Sequence, residues 1–157
     1  MKHRTTVERP ADCELVVRRT FDAPARHVFK AWTTPELLTR WWAPKSSGML
    51  LLSCEVDART GGRYRFEFGR EAGKPALMAF FGKYLEVVPD SRIVWTNEES
   101  DDGAVSTLTL EEQDGKTLLK LSEVYPTKAA RDRASEGMDD GMPEQFDQLD
   151  ELLPTLA

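Results

Sequence analysis

From Met49 to Val124 apolar residues recur at every second position, in runs near 49–57, 62–69, 76–88, 91–98, 104–112 and 116–124. This is the period of strands with one face toward a core. The segments between the runs are turns by composition: Gly61-Gly62, Gly73-Lys74-Pro75, Val88-Pro89-Asp90-Ser91, Ser100-Asp101-Asp102-Gly103 and Gln113-Asp114-Gly115-Lys116. Parallel neighbours need connections of about a dozen residues or more, so turns this short restrict the region to an antiparallel meander. Within it Tyr64, Phe66 and Phe68 share one face, while Arg63, Arg65 and Glu67 share the other. Three rings on one face need a cover, either a close-packed core or a bound apolar molecule.

The period changes on both sides of the meander. Upstream, Leu15 and Val17 alternate with Val16 and Arg18 in a first strand that ends at Phe21-Asp22-Ala23-Pro24, a helix-start signal. Val28, Phe29 and Trp32 form the apolar face of a helix ending near Thr33. Thr34-Pro35-Glu36 starts a second short helix, with Leu37, Leu38, Trp41 and Trp42 on its buried side and Ala43-Pro44 as its stop. Downstream, Met138, Met142, Phe146, Leu149, Leu153 and Leu156 fall at steps of three or four, one stripe on a C-terminal helix. Pro143 within that stripe either kinks the helix or begins its main segment, with residues 128–136 forming a separate turn of helix. The order implies an α+β fold in which a curved antiparallel sheet wraps the final helix, and the stripe supplies the cover that the rings lack.

Residues 1–13 are polar and without clear period, and read as a flexible arm or extended lead-in before a single domain over residues 14–157. A net charge of −6 removes any general attraction for nucleic acid or an anionic membrane, and Arg59, Arg63 and Arg65 read as the solvated face of a strand. No apolar run approaches the roughly 20 residues of a membrane span, and the N-terminus has no apolar signal core, so the expected address is the cytoplasm. In a reducing compartment Cys13 and Cys54 stay free, and Cys54, in phase with Leu50, Leu52 and Val56, reads as a buried inert thiol.

Four blocks carry a resemblance: FDAPARHVFKAWTTPELLTRWWAP, CEVDARTGGRYRF, GKYLEVVPDSRIVWT and GMDDGMPEQFDQLDELL. In this order, over about residues 14–154, they resemble the bacterial branch of the family named after the activator of the ninety-kilodalton heat-shock ATPase, within the START-like helix-grip superfamily. The resemblance implies a sheet of about seven strands gripping the C-terminal helix, with a cavity between them. It implies less about activity, because the superfamily includes lipid and hormone binders, aromatic cyclases and chaperone activators. The eukaryotic activators carry a further N-terminal domain to which the resemblance does not extend.

Chemistry-bearing residues are sparse. The two histidines, His3 and His27, with two distant cysteines do not make a metal set, and no nucleophile elbow, phosphate loop or dinucleotide fingerprint is present, so no cofactor is expected. His27 on the first helix reads as a boundary residue. Asp57 beside Arg59 reads as a turn-stabilising pair. Glu123 is the sharper candidate for a general base, since alternation from Leu119 and Leu121 turns it inward near the end of the sheet. Tyr84, in phase with Met78 and Phe80, places a hydroxyl at the same wall.

Three expectations follow. The first is a binder of a small hydrophobic or amphipathic molecule, held between the sheet and the C-terminal helix by Trp42, Phe66, Phe68, Met78, Phe80, Tyr84, Trp95, Met138, Met142 and Phe146. The second is a cyclase- or hydrolase-type enzyme using Glu123 or His27. The third, which rests on the family resemblance, is a module for a chaperone or other protein partner, and the Trp-rich helices equally suit a homodimer surface.

Overall fold

A computed structural model of the chain describes residues 4–136 and 138–156, with the backbone alone for residues 138–140. A hairpin of β1 (Thr6–Ala11) and β2 (Glu14–Phe21) leads into helices α1 (Ala25–Thr33) and α2 (Pro35–Trp41). The meander follows as β3 (Leu50–Val56), β4 (Arg63–Gly69), β5 (Met78–Val88), β6 (Arg92–Thr96), β7 (Val105–Gln113) and β8 (Lys116–Val124), and α3 (Lys128–Ser135) and α4 (Met138–Leu152) complete the order. The strands form one antiparallel sheet, β1-β2-β8-β7-β6-β5-β4-β3. Register shifts in β3, between Leu51 and Ser53, and in β5, between Tyr84 and Glu86, bend it. The α+β helix-grip arrangement is as expected.

The sheet has eight strands where about seven were expected, and the extra one makes residues 6–11 of the expected arm or lead-in an extended strand rather than a flexible segment. Residues 6–11 pair with β2 from Thr6 opposite Arg18 to Ala11 opposite Glu14. Their side chains are mostly exposed, so no apolar alternation marks the strand. The open backbone edge of β2 makes it, and an Arg18–Glu8 ion pair at 3.0 Å adds to it.

Pairing of β2 with β8 along its whole length sets the first main strand beside the last and leaves β3 at the far edge. The link from β2 to β3 therefore has to cross the sheet, and it carries α1 over β7 and β8 and α2 over β3. The Ala25 amide at the start of α1 donates to the Glu112 carboxylate at 2.6 Å, which satisfies one of the orphan donors of the first turn. The Trp41 indole donates to the Ala31 carbonyl at 3.0 Å and fixes α2 on α1.

Beside these helices, Phe146, Leu149, Leu152 and Leu153 pack with Val17, Phe21, Leu108, Leu119 and Leu121. The expected stripe thus holds from Phe146 to Leu153, while Met142 and Leu156 on either side are only partly buried. Pro143 does not begin the helix, which starts at Met138. It sits in the second turn, where its missing amide removes one helical bond.

Two polar faces of α4 place it. On one, Asp147 and Asp150 accept from the Arg19 guanidinium at 2.8 Å each, and Arg19 is buried inside β2 with Thr5 on the same nitrogen as Asp147. On the other, Gln145 donates to the Trp42 carbonyl at 2.7 Å, and Gln148 donates to Trp41 and Ala43 at 3.0 and 2.9 Å while accepting from the Lys45 amide. The carbonyls of Trp41 and its cap Trp42 are ones that the end of α2 leaves without partners, and Ala43 follows them.

The two aspartates carry unequal weight. Asp150 is largely buried, whereas Asp147 is 44% exposed. Replacing Asp150 with Ala removes a partner from a buried cation and is expected to destabilise by roughly 3 kcal/mol, the lower end for a broken buried pair. Asp147→Ala should cost about 1 kcal/mol or less. Urea denaturation of the two variants checks the order, and equal losses contradict it.

Candidate functional site

The face carrying Tyr64 and Phe66 does not close completely on its cover. A cavity of about 190 Å³ remains, lined by Trp32, Leu38, Trp42, Tyr64, Phe66, Phe80, Tyr84, Ile93, Trp95 and Asn97. Strands β4, β5 and β6 supply its floor through the period-two face, and α1 and α2 supply its roof. The roof rings meet edge to face: Trp32 and Trp42 at 5.3 Å, Trp42 and Phe66 at 5.4 Å, with Trp32 tilted on Trp95 at 5.9 Å. Rigid rings in such contacts hold a shape that flexible aliphatic chains would collapse into. A second hollow of about 230 Å³ adjoins it, sharing Trp42 and Phe80 and bounded by Met49, Phe68, Met78 and Gln145.

The place of this cavity corrects one expectation. It lies under α1 and α2, and among the described residues none of α4 lines it. The C-terminal helix covers the β2–β8 side instead. Phe146 is fully buried there, 5.8 Å from Phe21, and belongs to the core rather than the wall. Met142 packs against the same core, and the side chain of Met138 lies outside the described residues. Of the other residues expected at the wall, Trp42, Phe66, Phe80, Tyr84 and Trp95 line the cavity, whereas Phe68 and Met78 line the adjoining hollow.

Trp32, Leu38, Tyr64, Ile93 and Asn97 complete the lining and were absent from the expected set. The signal for three of them was in the sequence: Tyr64 shares the phase of Phe66, and Ile93 and Asn97 share the phase of Trp95. Nothing in the sequence showed that α1 and α2, rather than the last helix, roof the rings.

One end of the cavity is polar. Asn97 donates through Nδ2 to the Ala104 carbonyl at 2.7 Å and to Ser106 Oγ at 3.0 Å, and the fully buried Ser106 donates to Glu123 Oε2 at 2.7 Å. The Tyr64 hydroxyl donates to the Thr96 carbonyl at 2.6 Å and lies 3.3 Å from Asn97 Oδ1. Backbone at this corner is tightly set. A Cβ on Gly82 would lie 2.1 Å from the Thr96 carbonyl oxygen, and one on Gly103 would lie 1.9 Å from that of Asn97, so only glycine fits at either position. Glu123 therefore turns inward as expected, yet it stops two side chains short of the cavity. His27, partly exposed on α1, does not line the cavity. Arg59 binds Asp57 at 3.0 Å, the turn pair read from the sequence. Among the described residues no three metal-ligating side chains gather, and no helix is long and apolar enough to cross a membrane.

The sequence profile described as Activator of Hsp90 ATPase homolog 1-like protein matches residues 22–154. The chain belongs to this family. Curated proteins give no match. Among solved structures, a Chromobacterium violaceum protein is 30% identical with a TM-score of 0.73, covering 88% of this chain and 96% of that one. A Rhodobacter sphaeroides protein is 24% identical with a TM-score of 0.87 over 96% of this chain and 99% of that one, and an AHSA1-like protein from Aeromonas hydrophila is 20% identical with a TM-score of 0.67 over 85% and 92%. The last two likenesses establish the fold.

Within this family fold, burial disfavours the charged forms of the titratable groups around the cavity. Burial pushes the Tyr64 and Tyr84 hydroxyls well above the usual tyrosine range, helped by the Glu99 charge for Tyr64 and by Cys54 and Asp57 for Tyr84. Burial, with the Glu36 charge, pushes the Cys54 thiol up to about 11, so little of it is thiolate at neutral pH. Burial also raises the Glu123 carboxyl, against the Ser106 hydrogen bond that lowers it and with the Glu99 charge that adds to the rise. A carboxyl raised in the folded state favours folding most when protonated. That contribution is complete below the ordinary glutamate range and is lost as pH rises through the higher folded value. Glu123→Gln cannot ionise and escapes the loss. The melting temperature of Glu123→Gln minus that of the wild type should therefore become more positive between about pH 4.5 and 8; a difference independent of pH contradicts the raised carboxyl.

Proposed function

We propose that this protein binds a small, ring-sized apolar molecule with a polar end, in the cavity beneath α1 and α2. The observation that carries the reading is the lining: three tryptophans, two tyrosines and two phenylalanines around about 190 Å³, with a single amide at one end. Binding sites for small molecules are mostly apolar with a few placed polar groups. The size points to a substituted single ring rather than a long acyl chain or a steroid, since an apolar cavity of about 150 Å³ accepts benzene.

Two features favour binding over catalysis. The described residues that line the cavity include no carboxylate, histidine or cysteine, and Glu123 connects to it through Ser106 and Asn97. The wall hydroxyls are neutral and poor bases.

Toluene added to the purified protein should raise the melting temperature with dose, as any ligand selective for the folded state does, and should quench tryptophan emission. Palmitate, too long for the space, should do neither. Ile93→Phe, which puts a ring into the cavity, should abolish the toluene response while the variant stays folded. Absence of any shift with toluene or with other single-ring compounds overturns the proposal.

A further inference from the structure

The hydrogen bonds at the polar end run in one direction, and that direction specifies a ligand. The Ala104 carbonyl oxygen can only accept, so the end of the Asn97 amide that faces it at 2.7 Å must be the NH₂. The second amide hydrogen goes to Ser106 Oγ at 3.0 Å. Ser106, having accepted from Asn97, spends its one hydrogen on Glu123 Oε2 at 2.7 Å. Both donors of Asn97 are thus consumed on the β7 side, and Oδ1 points away from β7, toward Tyr64. The Tyr64 hydroxyl has one hydrogen, and the Thr96 carbonyl takes it at 2.6 Å. The 3.3 Å approach of Tyr64 Oη to Asn97 Oδ1 therefore brings together two oxygens that both retain acceptor capacity. Both residues line the cavity.

We infer that the cavity selects a ring-sized molecule carrying a hydrogen-bond donor, a hydroxyl or an N–H, which Asn97 Oδ1 and Tyr64 Oη receive together. This rests on the cavity being a binding site and adds the chemical class of what enters it. At this corner an aprotic analogue that offers only an acceptor, such as an aldehyde or ketone, sets its oxygen against two oxygens, which is the expensive arrangement inside a protein; the donor that competes for such an analogue is the Trp32 indole N–H of the roof, buried without an acceptor. Ser106 and Glu123 act as positioning residues, holding the amide with its oxygen outward.

Three para-substituted toluenes of similar size separate the possibilities in the full-length wild-type protein: p-cresol, which offers a donor, p-tolualdehyde, which offers only an acceptor, and p-xylene, which offers neither. Tryptophan quenching or calorimetry should rank p-cresol about tenfold tighter than the other two, the order expected for one hydrogen bond at a site that otherwise leaves acceptors unpaired. In Asn97→Leu, p-cresol should lose its advantage over p-xylene. Equal affinities in the wild type, or a preference for p-tolualdehyde, overturn the donor selectivity and leave the cavity as a binding site. No binding by any of the three overturns the binding site and the selectivity together.

Discussion

A buried guanidinium in the middle of a strand cannot stand without partners, and Arg19 finds them on a helix nearly the whole chain away. Asp147 and Asp150, three residues apart and so on one face of α4, take two of its nitrogens at 2.8 Å. The pairing sets α4 along β2. Gln145 and Gln148, also three apart, then reach the other way to the carbonyl end of α2. One helix therefore grips the sheet with its charged face and holds α2 with its amide face. Because α2 carries Leu38 and leads directly into Trp42, the position of the cavity roof depends on the Arg19 clasp, although no clasp residue touches the cavity.

The rings explain why the space under that roof stays open. Core side chains fill gaps when they can rotate into them, and methionine or leucine at these positions would do so. Indoles held edge to face by two helices and a sheet cannot. Apolar walls left without packing neighbours forfeit contacts and destabilise a protein, so keeping a half-open cavity between Trp32, Trp42, Phe66 and Trp95 is a departure from optimal packing at one place. Departures of this kind gather at sites that bind something. The polar corner fits the same view: Tyr64, Asn97, Ser106 and Glu123 form a connected set in which each donor has an acceptor.

Much of the fold was legible because it is written in short-range pattern. The turns between Met49 and Val124 leave room only for antiparallel neighbours, and Thr34-Pro35 marks the start of α2 to the residue. The same alternation turned Phe66, Tyr84, Trp95 and Glu123 inward. What could not be read were choices between partners far apart in sequence. β1 carries no apolar alternation because its side chains are exposed and its stability comes from the backbone edge of β2. Phe146 and Met142 looked like cavity wall because they lie on an apolar stripe, and a stripe says which face is buried without saying against what. Asn97 is a polar residue at a strand end, and its role depends on Ala104 and Ser106 across a turn.

The central claim is that an apolar cavity lies between the aromatic face of the sheet and the α1–α2 roof. Crystals of the protein pressurised with xenon test it directly, since xenon enters apolar cavities of this size without needing any specific chemistry. The account predicts a xenon atom among Trp42, Phe66 and Trp95, with the surrounding rings unmoved. A diffraction map with no xenon there, and with those side chains in mutual contact across the space, would contradict it.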